Sequence, residues 1–334
     1  MKSIFKSLVI TLLVGSVSLP TVKKVADITE EAAKTEYAYL IAGLDDAAQN
    51  TDVLALVSYN SYDNSASVIQ IPRDTYINFD KIQGRINHLY ASYRNNGLSQ
   101  EESMEKTVEF LEDNLGIKLD GYAVVTTEVF RDAIDSIGGV TVEMPEDFVY
   151  VDPKGNNSFV LTKGENLIDG KKAEIFVRHR KGYSLGDLGR LDAQKIFLNG
   201  FYNTAVKKIG LFDFIKCISS VKDGIITDFS ISDLLIMVLK HSSKFKDVEL
   251  SYITFPGQSV RASDGKWYYI LNRSACTSLL SSKIRSFEGI FDINGRFVNN
   301  DNSVFLKIYN SDDIVYREYS AKELVNIGIA KDFN

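Results

Sequence analysis

The chain has 334 residues, 45% of them hydrophobic and 25% charged, which suits a globular protein with a large core: two domains, or one large domain with a tail. Its net charge of −6 and pI near 5.3 argue against an overall nucleic-acid binder, whose footprint is a net basic domain. Only three histidines and two cysteines occur, with no His-x-x-x-His or Cys-x-x-Cys pair, so a zinc site is disfavoured, and no common nucleotide or hydrolase motif is present.

Residues 7–22 carry no charge and lie between Lys2 and Lys6 on one side and Lys23 and Lys24 on the other. This run is shorter than the ~18–20 residues of a clear spanning helix, and it lacks a good A-x-A cleavage site. Residues 1–24 are therefore expected to be an uncleaved membrane anchor or a cleaved signal, with 25–36 as a linker. Both readings place the remaining chain outside the membrane. Basic residues on both flanks leave orientation unsettled by charge alone.

Residues 37–44 read as a strand and 46–50 as a polar loop. The near-continuous apolar run 53–59 predicts a strand covered on both faces, and 66–71 another. Ser99 and Glu102 form a capping box, followed by Met104, Val108, Leu111 and Leu115 on one helical face, with Gly116 as the stop. A strand at 121–125, a helix at 127–137 ended by Gly138-Gly139, and a strand at 140–144 complete an alternation that predicts a layered α/β domain. Residues 145–170 look polar and irregular. A short helix at 171–177, a helix at 188–205, more helix through 239 and a strand at 250–255 follow. Asn294-Gly295 between apolar runs is a hairpin signal, so 284–334 is expected to be a small appended β-rich extension to a domain spanning 37–283. Cys217 and Cys276 are compatible with one disulfide or with two free thiols.

Three clusters have chemical potential. Asp45 ends one strand and Asp52 begins the next, so both carboxylates can meet at one sheet rim and offer hard oxygen ligands to Mg²⁺; the alternative is that they are turn residues. Pro72 ends a strand and presents Arg73 and Asp74 at the sheet edge, where open α/β sheets bind ligands; alone, the two are equally a surface ion pair. Arg178, Arg180, Asp187, Arg190 and Gln194 form the third cluster. Arg190 and Gln194 share a helical face, and converging guanidiniums suit bidentate phosphate recognition, although a solvated basic surface has the same composition. His88 reads more readily as an ordinary polar residue, and Glu101, Glu102 and Glu105 as helix-surface charges.

Taken in order, these segments resemble the LytR–CpsA–Psr family of cell-wall assembly proteins. The likeness runs through Gly43-Leu44-Asp45, Thr51-Asp52, Ile-Pro-Arg-Asp-Thr at 71–75, Ile86-Asn87-His88 with Tyr90, and Ile137-Gly138-Gly139-Val140. It continues through Gly170 to Ala173, Arg178-x-Arg180 and Gly186-Asp187-x-x-Arg190-x-x-x-Gln194. The resemblance implies a single membrane anchor and an extracytoplasmic three-layer α/β/α domain with a mixed central sheet. It also implies a pocket for a polyprenyl chain whose diphosphate sits at the mouth. Such a protein is a phosphotransferase that moves a glycopolymer, teichoic acid or capsular polysaccharide, from a lipid-diphosphate carrier onto peptidoglycan. Carried over, Asp45 and Asp52 would hold Mg²⁺. Arg73, Arg178, Arg180, Arg190 and Gln194 would clamp the diphosphate, and Asp74 and Asp187 would orient those arginines or assist proton transfer. Asn50 and Ala193 stand where the family often has arginine. Those departures keep a non-catalytic lipid or polymer binder in view. A transcription regulator fits the acidic chain and external location least.

Overall fold

The computed structural model describes residues 34–289 and 315–328, apart from 46, 48, 80–81, 153–157, 180–182, 184, 209–216, 218–220, 231–239, 242 and 263–264. Three antiparallel strands come first: β1 (Glu36–Leu44), β2 (Thr51–Asn60) and β3 (Ser65–Gln70). A small hairpin, β4 (Tyr76–Phe79) and β5 (Ile82–Arg85), leads into helices α1 (Asn87–Asn95) and α2 (Gln100–Leu115). Next come β6 (Gly121–Val125), α3 (Thr127–Ser136) and β7 (Val140–Met144). Short strands β8 (Phe148–Tyr150), β9 (Phe159–Leu161) and β10 (Gly164–Ile168) precede helices α4 (Gly170–Arg178) and α5 (Asp187–Tyr202). The described chain continues with β11 (Ile226–Thr227), β12 (Glu249–Arg261), β13 (Trp267–Leu271), α6 (Arg273–Lys283) and β14 (Val315–Ser320).

The main sheet runs β11-β6-β1-β2-β3-β12-β13, and β14 also pairs with β12. β6 lies parallel to β1 and β12 parallel to β3; the other ladders are antiparallel, so the sheet is mixed. Successive strand residues point to opposite faces, and two apolar cores result. Ile69 and Ile253 belong to one core with Leu89 of α1, Phe110 of α2 and Leu279 of α6. Their neighbours Val68 and Tyr252 belong to the other, with Ile134 of α3, Phe176 of α4 and Phe197 of α5. Helices thus cover both faces, so the alternation's layered α/β domain takes the α/β/α form that the resemblance implies.

Local rules explain the boundaries. The Ser99 hydroxyl accepts a hydrogen bond from Glu102 N while the Glu102 carboxylate accepts one from Ser99 N, and Gly116 ends α2 in the left-handed region at φ 65°. Gly200 lets α5 approach β7: a Cβ there would stand 2.6 Å from the Thr141 carbonyl oxygen. Gly200→Ala is therefore expected to cost about 1–3 kcal/mol, seen as a lower thermal midpoint.

Several expectations change. Residues 145–170 are not irregular: β8 pairs with β9 and β10 with β7, because short strands with polar outward positions form where a partner strand is at hand. β4, β5, β11 and β13 are additional strands, β11 lying within the stretch expected to be helix through 239, and β12 runs beyond residue 255 to Arg261. The described part of the C-terminal extension, β14, joins the central sheet. Cys217 and Cys276 are both buried free thiols; each lies 3.4 Å from a backbone carbonyl, Ala133 and Pro256 respectively. The apolar run 7–22, most of the helix expected through 239 and the Asn294-Gly295 hairpin lie outside the described residues. Among the described residues, no helix is long and apolar enough to cross a membrane.

Candidate active site

β1 and β3 run in the same direction, and the β1–β2 hairpin turns at the carboxyl end of β1, so three chain segments meet at one sheet rim. Asp45 lies just past β1 and Asp52 is the second residue of β2. Arg73 follows β3: Ile71 N donates to Leu54 O at 2.8 Å, and Pro72 then has no N–H to continue the ladder. Thr75 closes the turn, its N–H donating to Pro72 O at 2.9 Å and its hydroxyl at 2.6 Å. This turn presents Arg73 and Asp74. α5 starts at Gly186, whose φ of 57° aims the helix N-terminus, with Asp187 in its favourable first turn.

The side chains then interlock. Arg73 Nη1 donates to Asp52 Oδ1 at 2.9 Å, and Arg73 Nε lies 3.3 Å from Asp187 Oδ1 and 3.9 Å from Asp74 Oδ1. Arg190 holds Asp187 with two bonds, Nε to Oδ1 at 3.0 Å and Nη2 to Oδ2 at 3.2 Å, and its Nη1 donates to the Asp52 carbonyl oxygen at 3.3 Å. Arg178 Nη2 stands 4.0 Å from Asp52 Oδ2, while its Nη1 donates to Glu174 Oε1 at 3.0 Å. Asp45 caps its own loop, accepting from Gln49 N at 2.9 Å and Asn50 Nδ2 at 2.8 Å. Burial pushes the Asp45 carboxyl up, but those hydrogen bonds, helped by the Arg178 charge, hold it below the usual carboxylate range. Asp74 goes the other way: burial raises its pKa further than Arg73 and Arg85 lower it.

Two cavities adjoin this cluster. Asp45, Asn50, Asp52, Arg73, Arg85, Asn87 and Arg178 line a polar cavity of about 460 Å³. Behind it lies a second, of about 190 Å³, whose walls are mostly apolar, including Ile41, Leu44, Val53, Phe130, Val177 and Phe197. Asp52 and Arg178 line both, so they stand where polar and apolar spaces meet. Three buried side-chain atoms here lack a hydrogen-bond partner: Arg73 Nε, Asp74 Oδ1 and Asn87 Oδ1. Two of them still sit in ion pairs, Arg73 Nε with Asp187 Oδ1 and Asp74 Oδ1 with Arg85 Nε, both at 3.3 Å; the third belongs to Asn87, which lines the polar cavity, and unsatisfied buried polar atoms are rare in folded proteins.

The structure therefore brings Asp45, Asp52, Arg73, Asp74, Arg178, Asp187 and Arg190 together. Arg190, 1% exposed, lines neither cavity; its guanidinium is committed to Asp187 and to the β2 backbone. Gln194 turns inward, donating to Val177 O and accepting from Gln70 Nε2, and so forms part of the apolar cavity wall rather than an arm toward the polar one. Arg180 lies outside the described residues. Ala193 is fully buried in the second core, which leaves no room for a cation there, while Asn50 lines the polar cavity and steadies Asp45.

Two cavity residues escaped sequence reasoning. Arg85, on the short strand β5, reaches Asp74 Oδ1 at 3.3 Å. Glu174 binds Arg178, Arg131 and Lys171 at 3.0, 2.8 and 3.2 Å; burial pushes its carboxyl up, but Arg131 and Lys171 hold it below the ordinary carboxylate range. The i, i+4 spacing of Glu174 and Arg178 is the signal that marks it.

Among the described residues, Arg73, Arg85, Arg178 and Arg190 at this site stand against Asp45, Asp52, Asp74, Asp187 and Glu174. Among the described residues, no group of three or more His, Cys, Asp or Glu could hold a metal ion. Two carboxylates on one polar cavity nevertheless suit Mg²⁺, which keeps several waters and takes one or two carboxylates together with phosphate oxygens. Asp45 and Asp52 fit that role, since each carboxylate oxygen retains lone pairs beyond its present hydrogen bond.

Residues 16–284 match the LytR_cpsA_psr family. The chain is 26% identical over 263 residues to the polyisoprenyl-teichoic acid–peptidoglycan teichoic acid transferase TagU of Bacillus subtilis (strain 168), covering 76% of this chain and 79% of that protein. The fold matches the crystal structure of B. subtilis TagV with a TM-score of 0.61 at 24% identity, over 75% of this chain and 96% of TagV. It matches TagT bound to LI-WTA with a TM-score of 0.59 at 22% identity, over 76% and 91% of the two chains.

Proposed function

This chain belongs to the LytR_cpsA_psr family, and we propose that it is a phosphotransferase that moves a teichoic acid or related glycopolymer from a polyprenyl-diphosphate carrier onto a peptidoglycan hydroxyl. The observation that carries this reading is the junction at Asp52 and Arg178, where a polar cavity walled by arginines meets an apolar one. A diphosphate on an isoprenoid tail has that same division. We further propose that the apolar run 7–22 anchors the chain in the cell membrane, with the catalytic domain on its outer side.

The acceptor hydroxyl attacks the phosphorus that bears the polymer. The bond from that phosphorus to the bridging oxygen breaks, and the lipid leaves as its monophosphate. The hydroxyl proton passes to a carboxylate. Asp74 suits this task, because burial lifts its pKa above the ordinary carboxylate value and it stands in the same turn as Arg73. Arg73 and Arg178 line the cavity and neutralise the phosphate oxygens; Arg190 and Asp187 hold Arg73 in place. Mg²⁺, held by Asp45 and Asp52, would add positive charge beside the phosphate oxygens to that of Arg73 and Arg178. Phosphoryl transfer asks mainly for such neutralisation and positioning. The apolar walls limit water near the lipid side and favour transfer over hydrolysis.

Incubating the purified protein with lipid-diphosphate-linked teichoic acid and peptidoglycan tests the reading. The expected result is polymer covalently attached to peptidoglycan, and at least about tenfold less with a chelator of divalent metals present. Tight lipid-diphosphate binding with no product would instead identify a non-catalytic binder.

A further inference from the structure

We propose that Glu174 is a positioning residue that sets the Arg178 guanidinium at the junction of the two cavities, an inference that rests on the phosphate reading of the polar one. Arg178 is the last residue of α4, and the chain turns extended at His179 directly after it. A long side chain at a helix end has many rotamers, so fixing its planar fork requires an anchor. Glu174 Oε1 is that anchor: it accepts from Arg178 Nη1 at 3.0 Å, one helical turn back. The other oxygen, Oε2, accepts from Arg131 of α3 at 2.8 Å and from Lys171 at 3.2 Å. The carboxylate is thus fastened through one oxygen and holds Arg178 with the other.

Glu174 is buried and, with Arg178, lines the mostly apolar cavity, where a carboxylate costs desolvation. The seam between α3 and α4 is closed without it. Asp135 Oδ1 accepts from Gly170 N at 2.7 Å, and Gly170 packs so closely that a Cβ there would stand 2.4 Å from the Arg131 carbonyl oxygen. Arg131 and Lys171 already offset the Glu174 charge, so Arg178 is oriented without being fully neutralised. Its Nη2 stands 4.0 Å from Asp52 Oδ2, at the place where both cavities share a wall. Without Glu174, Arg178 is expected to close that gap and pair directly with Asp52, which withdraws its charge from an incoming phosphate.

Charge and positioning predict opposite signs for Glu174→Gln. Removing a negative charge beside a phosphate site would by itself tighten a diphosphate, whereas losing the anchor loosens it. Farnesyl diphosphate is titrated by calorimetry into the purified full chain and into the variant, and both are crystallised without ligand. The expected result is about tenfold weaker binding in Glu174→Gln, with the Arg178 guanidinium moved onto Asp52. In the transfer assay kcat is expected to fall further, about 10²-fold, because misplacement weighs most on the transition state. Arg131 and Lys171 are partly exposed and can turn to water, so the variant should fold. Glu174→Asp restores the charge and should bind between the parent and Glu174→Gln; it is read by the same two measurements if Glu174→Gln does not fold. Unchanged or tighter binding, or Arg178 still in its parent position, overturns the proposal. A parent chain that fails to bind farnesyl diphosphate counts against the phosphate reading instead, and the Arg178 positions in the two crystals then decide whether Glu174 sets them.

Discussion

Arg73→Ala is expected to slow glycopolymer transfer about 10³-fold, the scale of losing a preorganised cation at a phosphoryl-transfer site. Among the arginines of the site, Arg73 both lines the polar cavity and has a buried Nε with no hydrogen-bond partner. Its removal leaves Asp52 facing Arg178 at 4.0 Å and leaves Asp187 with both bonds from Arg190, so neither carboxylate is stranded. The stability loss should accordingly stay near 1–3 kcal/mol. Arg73→Lys keeps the charge but not the planar fork and should fall between the parent and alanine in rate. Arg190→Ala should behave differently: it strips Asp187 of its bidentate partner inside the protein and should lower the thermal midpoint far more than Arg73→Ala does. Transfer assays and thermal melts on the three variants separate a cation that meets substrate from one that supports it. Arg73→Ala with near-parent turnover would remove Arg73 from the phosphate-neutralising role.

The parts of this design that show in the sequence are those with a repeating pattern or a sharp stop. The β1 to β3 strands are long apolar runs between turns, and α2 carries its own cap, stripe and glycine stop. The site's outline is visible because Asp45, Asp52, Arg73, Asp74 and Arg178 sit next to element ends, and ends of like-directed strands meet at one rim. The short strands β4, β5, β8, β9 and β10 are too brief to show a period, and their partners create them. Arg85 went unnoticed for that reason. Arg190 and Gln194 illustrate a different limit. α5 is buried almost all round from Gly189 to Gly200, so helical spacing puts the two residues on one face without saying what that face meets. Arg190 meets Asp187 and the β2 backbone; Gln194 meets Gln70 and Val177. The interlocking of Arg73 with Asp52 and Asp187 is likewise a fact of assembly, invisible until the chain is folded.

Asp192→Ala is expected to destabilise the protein by about 3–5 kcal/mol, the cost of leaving a buried charge without its partner. Lys195 is fully buried; its Nζ donates to Asp192 Oδ1 at 2.8 Å and to Thr254 Oγ1 at 2.7 Å, and lies 5.1 Å from the Tyr319 ring centre. Burial already pulls the Lys195 pKa below the ordinary lysine value, and Asp192 is the main counterweight. Arg317 pairs with the other oxygen of Asp192, so one carboxylate ties β14 to α5 beneath the sheet. Without it, Lys195 must shed its proton or remain an uncompensated cation, and β14 loses its cross-layer tether. Faster amide exchange in β14 should accompany the lower thermal midpoint. Replacing both ends with apolar side chains, Asp192→Leu with Lys195→Met, should recover much of the loss, since neither position then carries a buried charge and the 16%-exposed Arg317 side chain can turn to water. The double-mutant cycle measures the coupling directly. A value near zero would mean that packing alone holds β14 in the sheet. A large value, with transfer activity retained in the double variant, would place this ion triad in the scaffold and leave the chemistry to the rim around Asp52 and Arg73.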